Sequence, residues 1–515
     1  MFFEKRKLQE ENILGTQNIS YLDTKIQKKI SLRSKKNNIK IQIKRTNILE
    51  QNQSYFSQIK EEDQFEIYKF ESYYNKIITY LKSLDNNLIS YCLHNLCIYF
   101  KSNEPSINEQ KLIIEGQFFE ILLDLGNKFI KENNEKDLIK IIWILFNIQV
   151  YHEGNNDYLK IIYDEKYMEF YYDCFNNSDF DEIMNEIISL LTYMVKNNKE
   201  VCMVIIKSKV FESIVKFVKS NYIDLQVVEM VIELIVNCLN ISKDYSLNEN
   251  EINIINDCIF ILKNEISNIE NEKLQKLCYE GLYKISKLDN QYKFNQKMIN
   301  VGIPFKIIKI KNNNNNILIY ALKTFGNILT VSDKYCKNIY ESNIITYFND
   351  ILNKYDDDHK LVKIILNSLF NITASKYRDK VKLSIIWNKE KIIKYFNMND
   401  QIKIILIKIL KYMIKYANYV TLQFIFQTQI LEYLIYLLSD FNLNEKVCIK
   451  ILKAVDIYLK KSKSYEKEKE KEKNMEYDII FNKFTDLFKL SEKFTNNNNK
   501  EVIDYIEKNI INNYE

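Results

Sequence analysis

Glycine and proline are nearly absent, at 7 and 2 of 515 residues, against typical usage of about 7% and 5%. Tight hairpins and phosphate-cradling loops depend on glycine's freedom at positive φ, so β-sandwiches, dinucleotide-binding sheets and P-loops are not expected. Long uncharged apolar runs are also missing. None reaches the ~18 residues that a membrane span needs, and even IIKYFNMNDQIKIILIKILKYMI is broken by lysines. Histidine occurs only at His94, His152 and His359, none beside residues that suggest a metal site or catalysis. The nine cysteines are scattered. Cys92 and Cys97 are the nearest pair, with no zinc spacing around them. With no secretory leader read at the N-terminus, buried reduced thiols in an intracellular protein are expected.

Charge is present but unevenly placed. The chain carries 73 Lys and Arg against 68 Asp and Glu, net +5. Nine of the basic residues lie between Lys25 and Leu49, KIQKKISLRSKKNNIKIQIKRTNIL, which has no acidic residue. Without those nine, 64 basic residues face 68 acidic ones, so the remainder is net −4. A cationic arm on a mildly acidic body has two natural partners, an acidic surface elsewhere or the body itself.

From about Phe65 onward, apolar residues recur at helical spacing between short polar turns. One motif, a β-branched stretch, a small or polar turn and an apolar helix, begins at Ile113, Ile205, Ile299, Ile339 and Ile425. Gly116 and Gly302 hold its turn in two copies, and Ser208, Ser342 and Thr428 in the others. A second motif ends in Asn or a substitute. Its positions four residues earlier are Trp143, Ser189, Glu233, Tyr279, Lys323, Asn367 and Lys411, about 44 apart, in the range of armadillo and HEAT repeats. Each unit is a helical hairpin or triplet that cannot bury its apolar face alone, so stacking is required. The expectation is an all-α, right-handed superhelical solenoid with a flexible basic N-terminal arm. Its segments are an arm over 1–53, a linker over 54–64, the repeat array over 65–463, a charged Glu/Lys segment over 464–476, and a terminal helical unit over 477–515. Asn312–Asn316 and Asn496–Asn499 read as turns in the array.

These residues resemble the importin α family. LRSKKNNIKIQIKRTNI (Leu32–Ile48) is similar to that family's importin-β-binding segment, with a one-residue gap and Thr46 in place of an arginine. FGNILT (Phe325–Thr330) and LFNITAS (Leu369–Ser375) resemble two consecutive armadillo signatures. The resemblance implies a groove lined by Trp and Asn four residues apart, on one helical face. Asn amides there bind an extended peptide's backbone, and Trp rings flank lysine stems. Carried onto this chain, it gives Trp143, Asn147, Asn237, Asn327 and Asn371 as the cargo-peptide groove. Arg33, Lys35, Lys36, Lys40, Lys44 and Arg45 form the importin-β-binding, autoinhibitory arm. The ladder is incomplete. Tyr193 and Tyr283 stand at Asn positions, Asn197 stands where an acidic residue is expected, and Glu233 is the residue that could restore charge.

The resemblance therefore implies a non-enzymatic nuclear import adaptor shuttling between cytoplasm and nucleus, without cofactor or metal. Its partners would be importin β, cargo bearing basic nuclear localisation signals, and an export receptor, with no membrane contact. Lys44 and Arg45 would occupy the chain's own groove until importin β captures the arm. A rival reading is an armadillo scaffold for protein partners with no transport role. Nucleic-acid binding by the arm is a further rival, not expected because the body shows no basic face in its sequence.

Overall fold

The computed structural model describes residues 67, 69–151, 160–177, 181–196, 198–220, 225–240, 246–266, 271–288, 291–310, 314–331, 337–339, 341–376, 389–438, 444–469, 480 and 482. The arm, Asn197, Trp387, His152 and nearly all of the terminal unit lie outside them. The described residues form helices joined by turns, with no strand among them. The chain divides into two compact units, Met1–Ile261 and Leu262–Glu515.

Nine helices carry the stacking. In the first unit they are α1 (Asn86–Ser102), α2 (Glu135–Tyr151), α3 (Asp181–Val195) and α4 (Leu225–Cys238). In the second they are α5 (Glu272–Ile285), α6 (Asn315–Ile328), α7 (His359–Thr373), α8 (Asp400–Lys415) and α9 (Glu445–Lys469). Within each unit every one of these packs on the next. Shorter helices fill the intervals, such as Lys199–Lys207 and Lys209–Ser220 between α3 and α4. This is the repeat that the ~44-residue period demands, one long stacking helix per unit of a solenoid.

Asparagine and aspartate do the work that glycine and proline do elsewhere. Side chains of Asp85, Asn271, Asn314, Asp358 and Asn399 accept hydrogen bonds from first-turn N–H groups of α1, α5, α6, α7 and α8. Each satisfies a donor that no intrahelical carbonyl can reach. The last residue of the asparagine-rich turn before Asn315 is thus a cap. The two repeat-turn glycines serve different ends. Gly302 has φ of +82°, a left-handed conformation that suits a residue without Cβ. Gly116 is extended, but a Cβ there would lie 2.0 Å from the Tyr74 hydroxyl and 2.3 Å from Leu112 O.

The core is aliphatic and continuous along each stack. In α2 every residue from Asp137 to Gln149 is buried, so its polar members need internal partners. Asp137 and Lys140 pair at 2.9 Å, and both bind Ser90 of α1, whose hydroxyl donates to Asp137 Oδ1 at 2.7 Å. The Glu/Lys segment expected as a solvated linker or helix begins as helix, since α9 runs on to Lys469.

Candidate functional site

In the first unit the expected ladder begins in the core. Trp143 is 2% exposed and Asn147 6% exposed, so the one complete Trp/Asn pair lies within the packing of α2 rather than on an open wall. The physical reason is the surrounding sequence. Ile141, Ile142, Ile144, Leu145 and Ile148 surround the pair with apolar surface, and the polar Asp137 and Lys140 of the same helix are bonded internally to Ser90, so neither draws the segment toward solvent.

The next two helices are different. On α3, Glu182, Glu186, Ser189 and Tyr193 recur at i, i+4, i+7 and i+11, and on α4, Gln226, Glu229, Glu233 and Asn237 do nearly the same. Each set is one stripe of its helix. These side chains are half-buried, apart from the exposed Glu182 and Gln226. Neither helix contains a Lys, Arg or His. Tyr193 packs its ring 5.5 Å from that of Phe146, and its hydroxyl donates to Val150 O at 3.4 Å. The Asn237 carbonyl accepts from the Cys202 thiol at 3.4 Å, which also reaches Val195 O, so the helix ends are tied together while the Asn237 side chain stays half-exposed. The stripe of α3 and α4 is acidic, with amide and phenol groups between the carboxylates.

In the second unit the Asn positions are engaged with neighbouring helices. The Asn327 amide donates to Ser286 Oγ at 2.8 Å, and the Asn371 amide donates to Gly326 O at 3.0 Å. Gly326 sits in the last turn of α6, where carbonyls lack intrahelical donors, so Asn371 satisfies an orphan acceptor across the helix interface. Tyr279 is buried, and burial pushes its hydroxyl far above the ordinary range. Tyr283 is half-buried, with the ammonium groups of Lys323 and Lys287 at 5.0 and 5.1 Å from its ring centre.

The expectation that the body has no basic face is corrected here. Lys323, Lys363, Lys408, Lys411 and Lys450 stand half-buried on α6 to α9. Burial holds each below the ordinary lysine range, Lys323 down to about 8. In the sequence each stands alone, Lys411 at a tryptophan position of the ladder and Lys323 at a position where the resemblance itself implies a basic residue. The signal for a basic face was the absence of any Asp or Glu from α6 and α7, together with lysines recurring 42 residues apart at Lys408 and Lys450 and at Lys411 and Lys453. Arg33, Lys35, Lys36, Lys40, Lys44 and Arg45 lie outside the described residues.

Other groups are structural in setting. His94 is buried and its imidazole is held down to about 4, by burial first and by the Lys140 charge second. His359 is exposed, with Nδ1 3.4 Å from Asn399 Nδ2. The eight described cysteines are buried. Among the described residues no helix is long and apolar enough to cross a membrane, and no cluster of three or more His, Cys, Asp or Glu could hold a metal.

No protein-family model matches the chain, and no curated protein matches it. Solved structures do. An engineered protein superposes with a TM-score of 0.56 at 14% identity, over 80% of this chain and 97% of its own. A chain from the structure described as "A conserved phosphorylation switch controls the interaction between cadherin and beta-catenin in vitro and in vivo" gives a TM-score of 0.56 at 10% identity, over 77% of this chain and 74% of its own. A designed armadillo repeat protein in complex with peptide (KR)4 aligns over 49% of this chain at 15% identity, with a TM-score of 0.39. At these identities the likeness is one of fold, and the fold is an all-α solenoid of the armadillo type.

Proposed function

We propose that this chain is a peptide-binding adaptor of the nuclear import type. In this reading the stripe of α3 and α4 receives a basic extended segment, and the N-terminal arm engages importin β. The observation that carries the reading is the acidic stripe of Glu186, Glu229, Glu233, Tyr193 and Asn237, on two helices whose own sequences hold no Lys, Arg or His, in a chain whose residues 25–49 hold nine basic residues and no acidic one. Carboxylates attract lysine ammonium groups, and an amide both donates to and accepts from a peptide backbone. Trp143 has no part in this reading; the cation-binding work falls to Glu233 and its neighbours instead.

The protein would act without cofactor or catalytic step and would shuttle between cytoplasm and nucleus. Cargo with basic localisation signals, importin β and an export receptor would be its partners. The Lys44–Arg45 segment would compete with cargo for the acidic stripe, because a tethered segment acts at high effective concentration.

Residues 1–53 fused to an affinity tag should retain purified importin β, and alanine at Arg33, Lys35 and Lys36 should abolish retention. If residues 1–53 retain no importin β, the transport reading fails. A scaffold for protein partners, without transport, is then the better reading. It has its own support in the burial of Trp143 and the inward bonding of Asn327 and Asn371.

A further inference from the structure

The second unit carries the opposite charge on its ladder. Helices α6 and α7 contain no acidic residue, and α8 has only Asp400, at its first position. Several of the unit's carboxylates are held by other lysines: Asp356 and Asp357 pair with Lys394, Asp400 with Lys403, and Asp456 with Lys460. Among the described residues, Lys323, Lys408, Lys411 and Lys450 have no carboxylate within ion-pair distance.

These lysines sense one another across helices. Lys323 is depressed first by burial and then by Lys360, Lys287 and Lys363. Lys411 is depressed by burial and then by Lys453, Lys450 and Lys415, and Lys408 by burial and then by Lys450. Aromatic rings lie under lysines of the stripe, Tyr283 under Lys323 and Phe370 under Lys408. The Lys408 ammonium lies 5.9 Å from the ring centre of Phe370 on α7, and that ring meets Tyr412 of α8 edge-on at 5.4 Å. Half-buried like charges without counter-ions are a cost that an anionic ligand would relieve.

We propose that the lysine stripe of α6 to α9 is a docking site for an extended segment, rich in Asp and Glu, of a partner protein. Charge complementarity selects the acid, and two features select a peptide over a nucleic acid. Asn367, half-buried on α7, the helix that packs between that of Lys323 and that of Lys408 and Lys411, has an amide that can donate and accept, as a peptide backbone requires and a phosphodiester does not. Single-stranded nucleic acids bind by stacking bases on open aromatic faces, whereas the rings of Tyr283 and Phe370 are topped by lysine ammonium groups. The same stripe repels a basic cargo or the arm. The proposal is independent of the import reading, which uses the stripe of α3 and α4.

The test is fluorescence anisotropy on the full-length protein with a fluorescein-labelled peptide rich in Glu and Asp. Comparison ligands are an uncharged peptide of equal length, a phosphoserine peptide, and a single-stranded oligonucleotide. The acidic peptide should bind, and binding should weaken as salt rises. The triple variant Lys408→Gln, Lys411→Gln, Lys450→Gln should weaken it roughly tenfold or more. The corresponding Lys→Arg triple variant, which keeps the charge, should bind the acidic peptide nearly as the unaltered protein does. Lys354→Gln, at an exposed lysine elsewhere in the unit, should leave the affinity unchanged. The melting temperature of the Gln variant should hold or rise, since repulsion has been removed. Equal affinity for acidic and uncharged peptides would overturn the proposal. So would tighter binding of the phosphoserine peptide or the oligonucleotide than of the acidic peptide, or indifference to the Gln substitutions.

Discussion

At the scale of residues, burial decides what a side chain can do. Trp143 matches a peptide-contacting position by phase, yet at 2% exposure its ring is a packing element. Trp143→Ala should therefore lower unfolding free energy by about 3–5 kcal/mol, the usual range for emptying a buried aromatic site. Urea denaturation would measure this, and the affinity of the folded fraction for a basic peptide should not change. A drop in that affinity with stability intact would restore Trp143 to the binding surface. His94 makes a second test. The unfolded chain binds the imidazole proton near the ordinary value of 6.5 and the native state only near 4. Between those values the unfolded state holds more protons, so stability contributed by neutral His94 is present above pH 6.5 and is lost as pH falls toward 4. His94→Asn should flatten the change in urea midpoint between neutral and mildly acidic pH. An unchanged slope would place the titration elsewhere.

At the scale of elements, the chain's asparagine bias becomes mechanical. Asn399 Oδ1 accepts from Ile402 N at 3.0 Å and starts α8, so Asn399→Ala should cost about 1 kcal/mol. Asn399→Asp should keep most of that stability, because a carboxylate caps as well as an amide. Thermal melts of the two variants separate a cap from a merely polar turn residue, which would leave both variants equal. Asn327 and Asn371 show why a periodic Asn is ambiguous in sequence. The same amide that could meet a peptide backbone can also satisfy an acceptor at the end of the preceding helix, a hydroxyl for Asn327 and a carbonyl for Asn371. Periodicity identifies the helix and its register, but the choice between these partners depends on how near the neighbouring helix end comes.

At the scale of the whole molecule, charge is segregated along the chain: a basic arm, an acidic stripe on α3 and α4, and a basic stripe on α6 to α9. Deleting residues 1–53 should raise affinity for a basic localisation-signal peptide, because a tethered competitor is removed. Alanine at Lys44 and Arg45 should recover much of that gain. Titration at physiological salt checks both, and no change in either protein would show that the arm does not compete for the site. Glu229→Gln with Glu233→Gln should abolish the gain while leaving acidic-peptide binding in the second unit intact.

Fold class was legible in the sequence because it follows from local rules. Scarce glycine and proline, apolar residues at helical spacing and a period near 44 residues permit little except stacked helices, and the described residues are helices stacked in that order. The charge of the arm was equally legible, being a matter of adjacent residues. The candidate site was only partly so. Sequence phase singled out Lys323, Lys411 and Glu233, but one by one, because charges that neighbour each other across a solenoid lie about forty residues apart along the chain. The tertiary structure decided three things that no local pattern holds. It closed α2 on every side and took Trp143 into the core. It brought the Ser286 hydroxyl within reach of Asn327 and the Gly326 carbonyl within reach of Asn371. And it set Lys323 beside Lys360 and Lys363, and Lys411 beside Lys450, with no acidic residue between them, so that solitary substitutions became a cationic surface. Helix formation depends on neighbours along the chain, whereas burial and electrostatic field depend on neighbours in space, and only the packed helices determine those.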